Sequence, residues 1–225
     1  MITPDTTTTI QSRCKTDRLH ALFPIPVLSC EYEPEHSSEL NFISNLDFFE
    51  VQRTYPEISR DTFILNSPEL INIRGFIESK ISYFAKEVMR SNKDLVITQS
   101  WVNRQIKGAH HHEHMHPHSI LSGVWYPAAS ESFNPITFKN PVPPSGLSLQ
   151  SCPTRSTSNP YDTALSSIGS APGKSILLIF PSNLMHMVDH NRSDSARFSL
   201  SFNTWVSGAL GEAECLTYLP PLTFA

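Results

Sequence analysis

The spacing of apolar residues divides the chain into a helical first part and a β-rich second part. After Ser67 and Pro68, which favour a helix start, apolar side chains recur every three or four residues up to Asn92. These side chains are Ile73, Ile77, Ile81, Phe84 and Val88. The spacing predicts an amphipathic helix whose apolar face lies against a sheet. A shorter helix is expected between Glu39 and Arg53.

From Asp94 onward, short runs of β-forming residues alternate with turn residues. The runs predict strands at Leu95–Gln105, Ser119–Tyr126, Pro135–Lys139, Ser175–Phe180 and Ala196–Val206. Helices followed by strands are typical of a mainly β domain, a barrel or a sandwich, with helices packed outside it.

Length and local composition suggest a single domain. A chain of 225 residues, 39% of them hydrophobic, can bury one sizeable core. Residues 1–20 are polar and rich in threonine, so we expect a disordered tail followed by one domain over 21–225. The first segment of this domain, Leu22–Val27, should be extended because of its prolines. Residues 140–173 are rich in proline, serine and threonine, which predicts a long loop or insertion.

Charge and cysteine content narrow the functional class. The formal net charge of -4 gives no basic field that would favour nucleic acid or a membrane surface as a partner. The 4 cysteines show no C-x-x-C spacing, and neither a signal peptide nor a membrane span is apparent. We therefore expect a cytoplasmic protein with reduced thiols.

Histidines cluster in the middle of the chain, at His110, His111, His112, His114, His116 and His118. A solvated loop that binds metals adventitiously would give the same pattern. On a strand, however, residues two apart point to the same face, so His114 and His116 can bind one ion. His186, which follows an apolar strand, is the candidate third ligand. Imidazole suits Fe, Zn, Cu and Ni alike, so these residues leave the metal open.

An arginine follows His186 at a spacing of eleven residues and begins a strand-like run. Polar and apolar residues alternate from Arg197 to Asn203, so Arg197, Ser199, Ser201 and Asn203 should share one face. An arginine inside a barrel is costly unless an anion binds it, and a dicarboxylate fits. The alternative is an ordinary amphipathic strand with a surface arginine.

Together these residues resemble the 2-oxoglutarate-dependent Fe(II) oxygenases, and more closely an uncharacterised bacterial and phage branch of them. The similar segments run in order from about residue 22 to 206. They are Leu22–Val27, Ser100–Asn103, Gly108, the H-x-H-P block His114–Pro117, Ser122–Tyr126, Ile136–Pro141, Phe180–Pro181, Asn191, Arg197 and Ser199–Asn203.

The resemblance implies a double-stranded β-helix, a squashed jelly roll whose mouth holds Fe(II). His114 and His186 match metal ligands of the family, and Arg197 with Ser199 matches the R-x-S that grips the distal carboxylate of 2-oxoglutarate. Asn103 and Tyr126 are expected to reach the same cosubstrate.

The implied reaction couples oxidative decarboxylation of 2-oxoglutarate, to succinate and CO2, with hydroxylation of a C–H bond by O2. The substrate could be a protein side chain, an amino acid or a small metabolite. The reaction requires no side chain as general acid or base, so the expected site consists of metal ligands and cosubstrate anchors.

One position departs from the family pattern. The usual motif is H-x-D or H-x-E, and this chain has His116 where the carboxylate would be. We rank His116 first as the remaining ligand, with Glu113 of His111-His112-Glu113 as an open alternative and Asp189 as a weaker one.

Two other functions are compatible with parts of this pattern. A cupin-like three-histidine dioxygenase that does not use 2-oxoglutarate would explain His116 better, but it would leave Arg197 and Ser199 without a role. A non-catalytic jelly roll used for binding would leave the histidines in a solvated loop.

Overall fold

The computed structural model describes residues 24–32, 38–127, 136–141, 165–169 and 174–221. Helix α1 spans Ser38–Ser44, and helix α2 spans Ile71–Tyr83. Short 3-10 turns, Ile64–Asn66 and Pro68–Leu70, lead into α2, and a π-helical turn, Phe84–Val88, follows it. None of the helices in these ranges combines the length and hydrophobicity that crossing a bilayer requires.

The strands form two sheets in which neighbouring strands run antiparallel. They are β1 (Leu28–Glu31), β2 (Phe48–Phe49), β3 (Glu57–Ser59), β4 (Leu95–Gln105), β5 (His111–His114), β6 (Leu121–Tyr126), β7 (Ile136–Lys139), β8 (Leu165–Ile168), β9 (Ile176–Pro181), β10 (His186–Val188) and β11 (Arg197–Val206). The major sheet has the order β1-β9-β6-β11-β4-β3-β2, and the minor sheet has the order β5-β10-β7-β8.

The predicted strands agree with the observed ones to within about two residues, because alternation and β propensity both favour them. Strand β8 lies inside 140–173, where a loop is predicted, and it pairs with β7. Residues 142–164 and 170–173 lie outside the described residues, as does the predicted tail, 1–20.

Helix α2 covers the outer face of the major sheet, as its apolar spacing predicts. Its buried residues Ile73, Ile77 and Ile81 pack in one cluster with Val102 of β4 and Leu200 of β11. Burial of these side chains removes a large apolar area from water and fixes the helix on the sheet.

Two features of the predicted helices are wrong. Val88 is 41% exposed and does not extend the apolar face, because the π-helical turn rotates it away from the sheet. The helix expected up to Arg53 stops at Ser44, and Phe48–Phe49 pairs with β3 instead. The Asn45 side chain donates to the Asn41 carbonyl at 2.8 Å at the point where the helix ends.

A second apolar cluster fills part of the space between the two sheets. The major sheet contributes Val124, Tyr126 and Phe180, and the minor sheet contributes Ile136 and Phe138. The two clusters lie on opposite faces of the major sheet, so each of its strands carries one row of residues toward α2 and one toward the minor sheet.

Gly123 allows the closest approach in the major sheet. A Cβ atom at this position would lie 2.2 Å from Cζ of Phe202 and 2.7 Å from the carbonyl oxygen of Leu178. The second of these atoms belongs to the backbone and cannot move by a change of rotamer. Glycine is therefore required for Phe202 to fill the core beneath α2.

We expect Gly123→Ala to lower the free energy of unfolding by about 1–3 kcal/mol, the usual effect of overpacking a core. Gly75→Ala is the matched control, because an added Cβ there meets no atom within 4 Å. It should raise stability by roughly 0.5–1 kcal/mol through helix propensity. Urea unfolding measures both, and equal stability of the two variants would contradict the packing argument.

Candidate functional site

Three histidines converge between the two sheets. His114 ends β5 and His186 begins β10, and the two residues are direct partners in the strand ladder. His116 follows β5, and its backbone N–H donates to the Ser182 carbonyl at 2.9 Å. One ring nitrogen from each of the three lies within 4.8 Å of the others.

The structure corrects how His116 reaches this cluster. The sequence predicts that His114 and His116 share a face of one strand, but β5 ends at His114. The bond from His116 to Ser182 ties the chain beyond β5 to the turn that precedes His186. A cross-strand pair and an anchored loop therefore assemble the cluster.

Backbone carbonyls set the tautomers of two rings. Nδ1 of His114 lies 2.7 Å from the His112 carbonyl oxygen, and Nδ1 of His186 lies 2.9 Å from that of Leu184. A carbonyl can only accept, so each Nδ1 carries the proton and each Nε2 keeps a free lone pair. Imidazoles that bind metals are oriented in this way.

Burial keeps the three rings neutral at physiological pH. It lowers the pKa of His116 to about 3 and that of His186 to about 4, and neighbouring histidines add to both effects. Burial also lowers the pKa of His114. The cluster therefore presents nitrogen lone pairs, which a divalent metal requires.

A β-bulge brings a fourth histidine into the pocket. His111 pairs with Val188 while His114 pairs with His186, so β5 carries one more residue than β10 between the two pairs. The His111 ring centroid lies 4.2 Å from that of His114, and burial lowers its pKa to about 3. In a regular strand, residues at positions i and i+3 lie on opposite faces. No feature of the sequence predicted the bulge that brings His111 and His114 together.

The two acidic alternatives lie outside the cluster. The Glu113 carboxylate forms an ion pair with Nζ of Lys139 at 2.7 Å, and its side chain is 41% exposed. Asp189 is also exposed. In the described part of the chain, the group that could hold a metal consists of His114, His116 and His186.

The arginine lies in the same pocket, on the major sheet. Strands β11 and β4 pair in a register that sets Arg197 opposite Gln105 and Ser199 opposite Asn103. The pocket-facing residues of the two strands are Arg197, Ser199, Ser201, Trp101, Asn103 and Gln105. Leu200 and Phe202 face α2. The predicted alternation of β11 is therefore confirmed.

Gln105 orients the arginine and was missed in the sequence. Its Nε2 donates to the carbonyls of Ala109 at 2.7 Å and Asp189 at 2.9 Å. These contacts fix the amide so that Oε1 accepts from the Arg197 guanidinium. Burial lowers the pKa of Arg197, and its Cζ lies 5.4 Å from the centre of the Tyr126 ring.

Asn103 has one satisfied and one unsatisfied amide atom. Its Nδ2 donates to the Ser201 hydroxyl at 3.1 Å. Its Oδ1 is buried and has no hydrogen-bond partner among the described residues. A buried amide oxygen of this kind points to a ligand or to an exchanged amide orientation.

We expect Gln105→Leu to lower the free energy of unfolding by about 1–3 kcal/mol, because it leaves buried polar groups without their partner. Gln99→Leu is the matched control, since Gln99 lies exposed on the same strand. Thermal unfolding of the metal-free proteins measures both changes. Similar losses in the two variants would show that the buried amide contributes nothing specific.

The sequence matches a family model described as "Putative 2OG-Fe(II) oxygenase" over residues 99–203, a segment that contains the three histidines and Arg197. Over this segment the chain is similar to the 2-oxoglutarate- and Fe(II)-dependent oxygenases, a family whose members use Fe(II), 2-oxoglutarate and O2. A comparison with curated proteins gives no match.

Solved structures of similar fold include an oxidoreductase of the 2OG-Fe(II) oxygenase family from Burkholderia pseudomallei. It is 14% identical in sequence, the match covers 79% of this chain and 83% of that one, and the TM-score is 0.51. HygX from Streptomyces hygroscopicus, solved with nickel, 2-oxoglutarate and hygromycin B, has 13% identity, 80% and 82% coverage and a TM-score of 0.54. The α-ketoglutarate-dependent epimerase SnoN from nogalamycin biosynthesis has 11% identity, 89% and 91% coverage and a TM-score of 0.58. These likenesses confirm the double-stranded β-helix.

Proposed function

We propose that this oxygenase hydroxylates an unactivated C–H bond of a protein side chain, an amino acid or a small metabolite. Substrate, 2-oxoglutarate and O2 would give the hydroxylated product, succinate and CO2. The observation that carries the proposal is a cluster of three imidazoles and a partly buried arginine that line one pocket.

His114, His116 and His186 are the proposed iron ligands. Their donor atoms are close enough for a single ion, and two of the rings are oriented by backbone carbonyls. Once bound, Fe(II) would activate O2, and the protein would supply position and environment. Glu113 is the weaker candidate because Lys139 already neutralises its carboxylate.

Arg197 and Ser199 are the proposed anchors for the distal carboxylate of 2-oxoglutarate. A guanidinium can bind a carboxylate through two parallel hydrogen bonds, and Ser199 offers a hydroxyl two residues along the same strand face. Both side chains line the pocket, and Ser199 is only 8% exposed. The low dielectric of such a site strengthens the ionic contact.

Asn103 and Tyr126 complete the proposed cosubstrate site. Rotation of the Asn103 amide by half a turn would let Oδ1 accept from the Ser201 hydroxyl and would direct the N–H group into the pocket. A carboxylate there would then receive a further hydrogen bond. The Tyr126 ring lies against the guanidinium and would act on the cosubstrate through Arg197.

Apolar residues beside the histidines would exclude water during turnover. Val124, Ile136 and Phe180 line the pocket, and the Phe180 ring lies 4.9 Å from that of His186. Exclusion of water protects a reactive centre from side reactions. A three-histidine dioxygenase independent of 2-oxoglutarate is disfavoured, since Arg197 and Ser199 would then have no ligand.

The proposed function predicts slow formation of succinate from 2-oxoglutarate and O2 by the Fe(II)-loaded protein even without substrate.

Arg197→Ala should weaken 2-oxoglutarate binding to the Co(II)-loaded protein by roughly tenfold to a hundredfold, the effect of losing charge-assisted hydrogen bonds. Arg104→Ala is the matched control, because Arg104 lies on β4 and pairs with Glu57. Isothermal titration gives both constants. If Arg197→Ala binds 2-oxoglutarate as tightly as the wild type, the anchor assignment is wrong.

Replacing the proposed ligands should remove the metal. We expect His114→Ala, His116→Ala and His186→Ala each to weaken Fe(II) binding by more than about tenfold, since each removes one of three protein ligands. His112→Ala and Glu113→Ala are the controls, since both side chains are exposed. Metal content after anaerobic dialysis distinguishes them. Loss of iron in Glu113→Ala with retention in His116→Ala would reverse the ranking of the two residues.

A further inference from the structure

The pocket contains no protein anion in the described part of the chain. Among the described residues, no aspartate or glutamate lines it. Apart from Tyr126, the ionisable residues that line it are Arg197, His111, His114, His116 and His186. The nearest sequence candidates point elsewhere, since Glu113 pairs with Lys139 and Asp189 is exposed.

This composition leaves the loaded site with an excess positive charge. Iron brings two positive charges and Arg197 brings one, while the 2-oxoglutarate dianion removes only two. A carboxylate at the position of His116 would remove the remainder, but this chain supplies a neutral imidazole. A buried charge without a partner is expensive, so the complete site favours one further anion.

The metal side of the pocket offers a place for that anion. The His111 ring lies 4.2 Å from His114, centroid to centroid, and its nitrogens hydrogen-bond to none of the described residues. An imidazole has at least one N–H to donate in either protonation state. Trp101 borders the same region, with its ring centroid 6.0 Å from that of His116.

We propose that the substrate carries a carboxylate, which binds beside His111 on the metal side of the pocket and supplies the negative charge that His116 does not. This inference rests on the proposed function. Trp101 would contact the apolar part of the same molecule, so the structure favours an acid with an apolar or aromatic body over a neutral or basic substrate.

Acetate and acetamide are suitable probes, because they have nearly the same shape and differ in charge. We would titrate each, without O2, into protein loaded with Co(II) and 2-oxoglutarate, and follow the visible Co(II) absorption. Acetate should bind at least about tenfold more tightly than acetamide, as expected for an ionic contact in a partly desolvated site. Equal binding of the two probes would overturn the proposal.

Matched variants test the role of charge and the place of binding. His116→Asp should weaken acetate binding by about tenfold or more while Co(II) and 2-oxoglutarate still bind, because its carboxylate supplies the negative charge within the protein. His111→Phe should also lose acetate affinity, whereas Glu113→Gln should keep it. Acetate affinity that is unchanged in both His116→Asp and His111→Phe would contradict the proposal.

Three outcomes would each overturn this inference, and one of them would overturn the proposed function as well. If chloride occupies the site and excludes acetate from the wild type, an inorganic anion supplies the charge and the proposal fails. Failure of 2-oxoglutarate to bind the Co(II) protein would overturn the proposed function and this inference together. Binding of 2-oxoglutarate without a preference for acetate over acetamide would overturn this inference alone.

Discussion

The pairing of β11 with β4 is the constraint on which the rest of the structure depends. The two strands are held in one register from Arg197 opposite Gln105 to Asn203 opposite Gln99. In this register Leu200 and Phe202 pack beneath α2, while Arg197 and Ser199 face the minor sheet. A slip of one residue would turn the apolar side chains into the pocket and the arginine into the core. The same register is therefore required for packing of the core and for placement of the proposed cosubstrate anchor.

The same register connects the two halves of the site. Gln105, opposite Arg197, is bound to the carbonyls of Ala109 and Asp189. Ala109 precedes the histidines of β5, and Asp189 follows β10. Asn191 adds a second tie, since its side chain donates to the Gln105 carbonyl at 2.8 Å. The loops that flank the proposed metal ligands are thus attached to the strand that orients the arginine. This attachment would couple the positions of the proposed metal and cosubstrate sites.

Much of this arrangement is predictable from local patterns. The faces of β11 follow from strict alternation, and the contact between α2 and the sheet follows from the spacing of Ile73, Ile77 and Ile81. Both are periodic signals that extend over several turns or residue pairs. The convergence of His114, His116 and His186 also agrees with the sequence hypothesis, although His116 arrives through a loop rather than on the strand.

The features that escaped prediction are departures from regular periodicity or long-range contacts. The bulge in β5 places His111 in the pocket, and the π-helical turn removes Val88 from the core. Gln105 becomes important only because its amide is fixed by two carbonyls, that of nearby Ala109 and that of Asp189, which is distant in the sequence. The identity of the cofactors was predicted from the family resemblance. The residue patterns of the individual strands identified neither the metal nor the anion.

The most direct test of the central claim is an anaerobic titration of 2-oxoglutarate into the Fe(II)-loaded protein, followed by visible absorption. Chelation of the iron by the 2-oxo acid predicts a weak charge-transfer band that grows to saturation at about one equivalent of 2-oxoglutarate per chain. A protein that holds one iron per chain and develops no band on addition of 2-oxoglutarate would contradict the account.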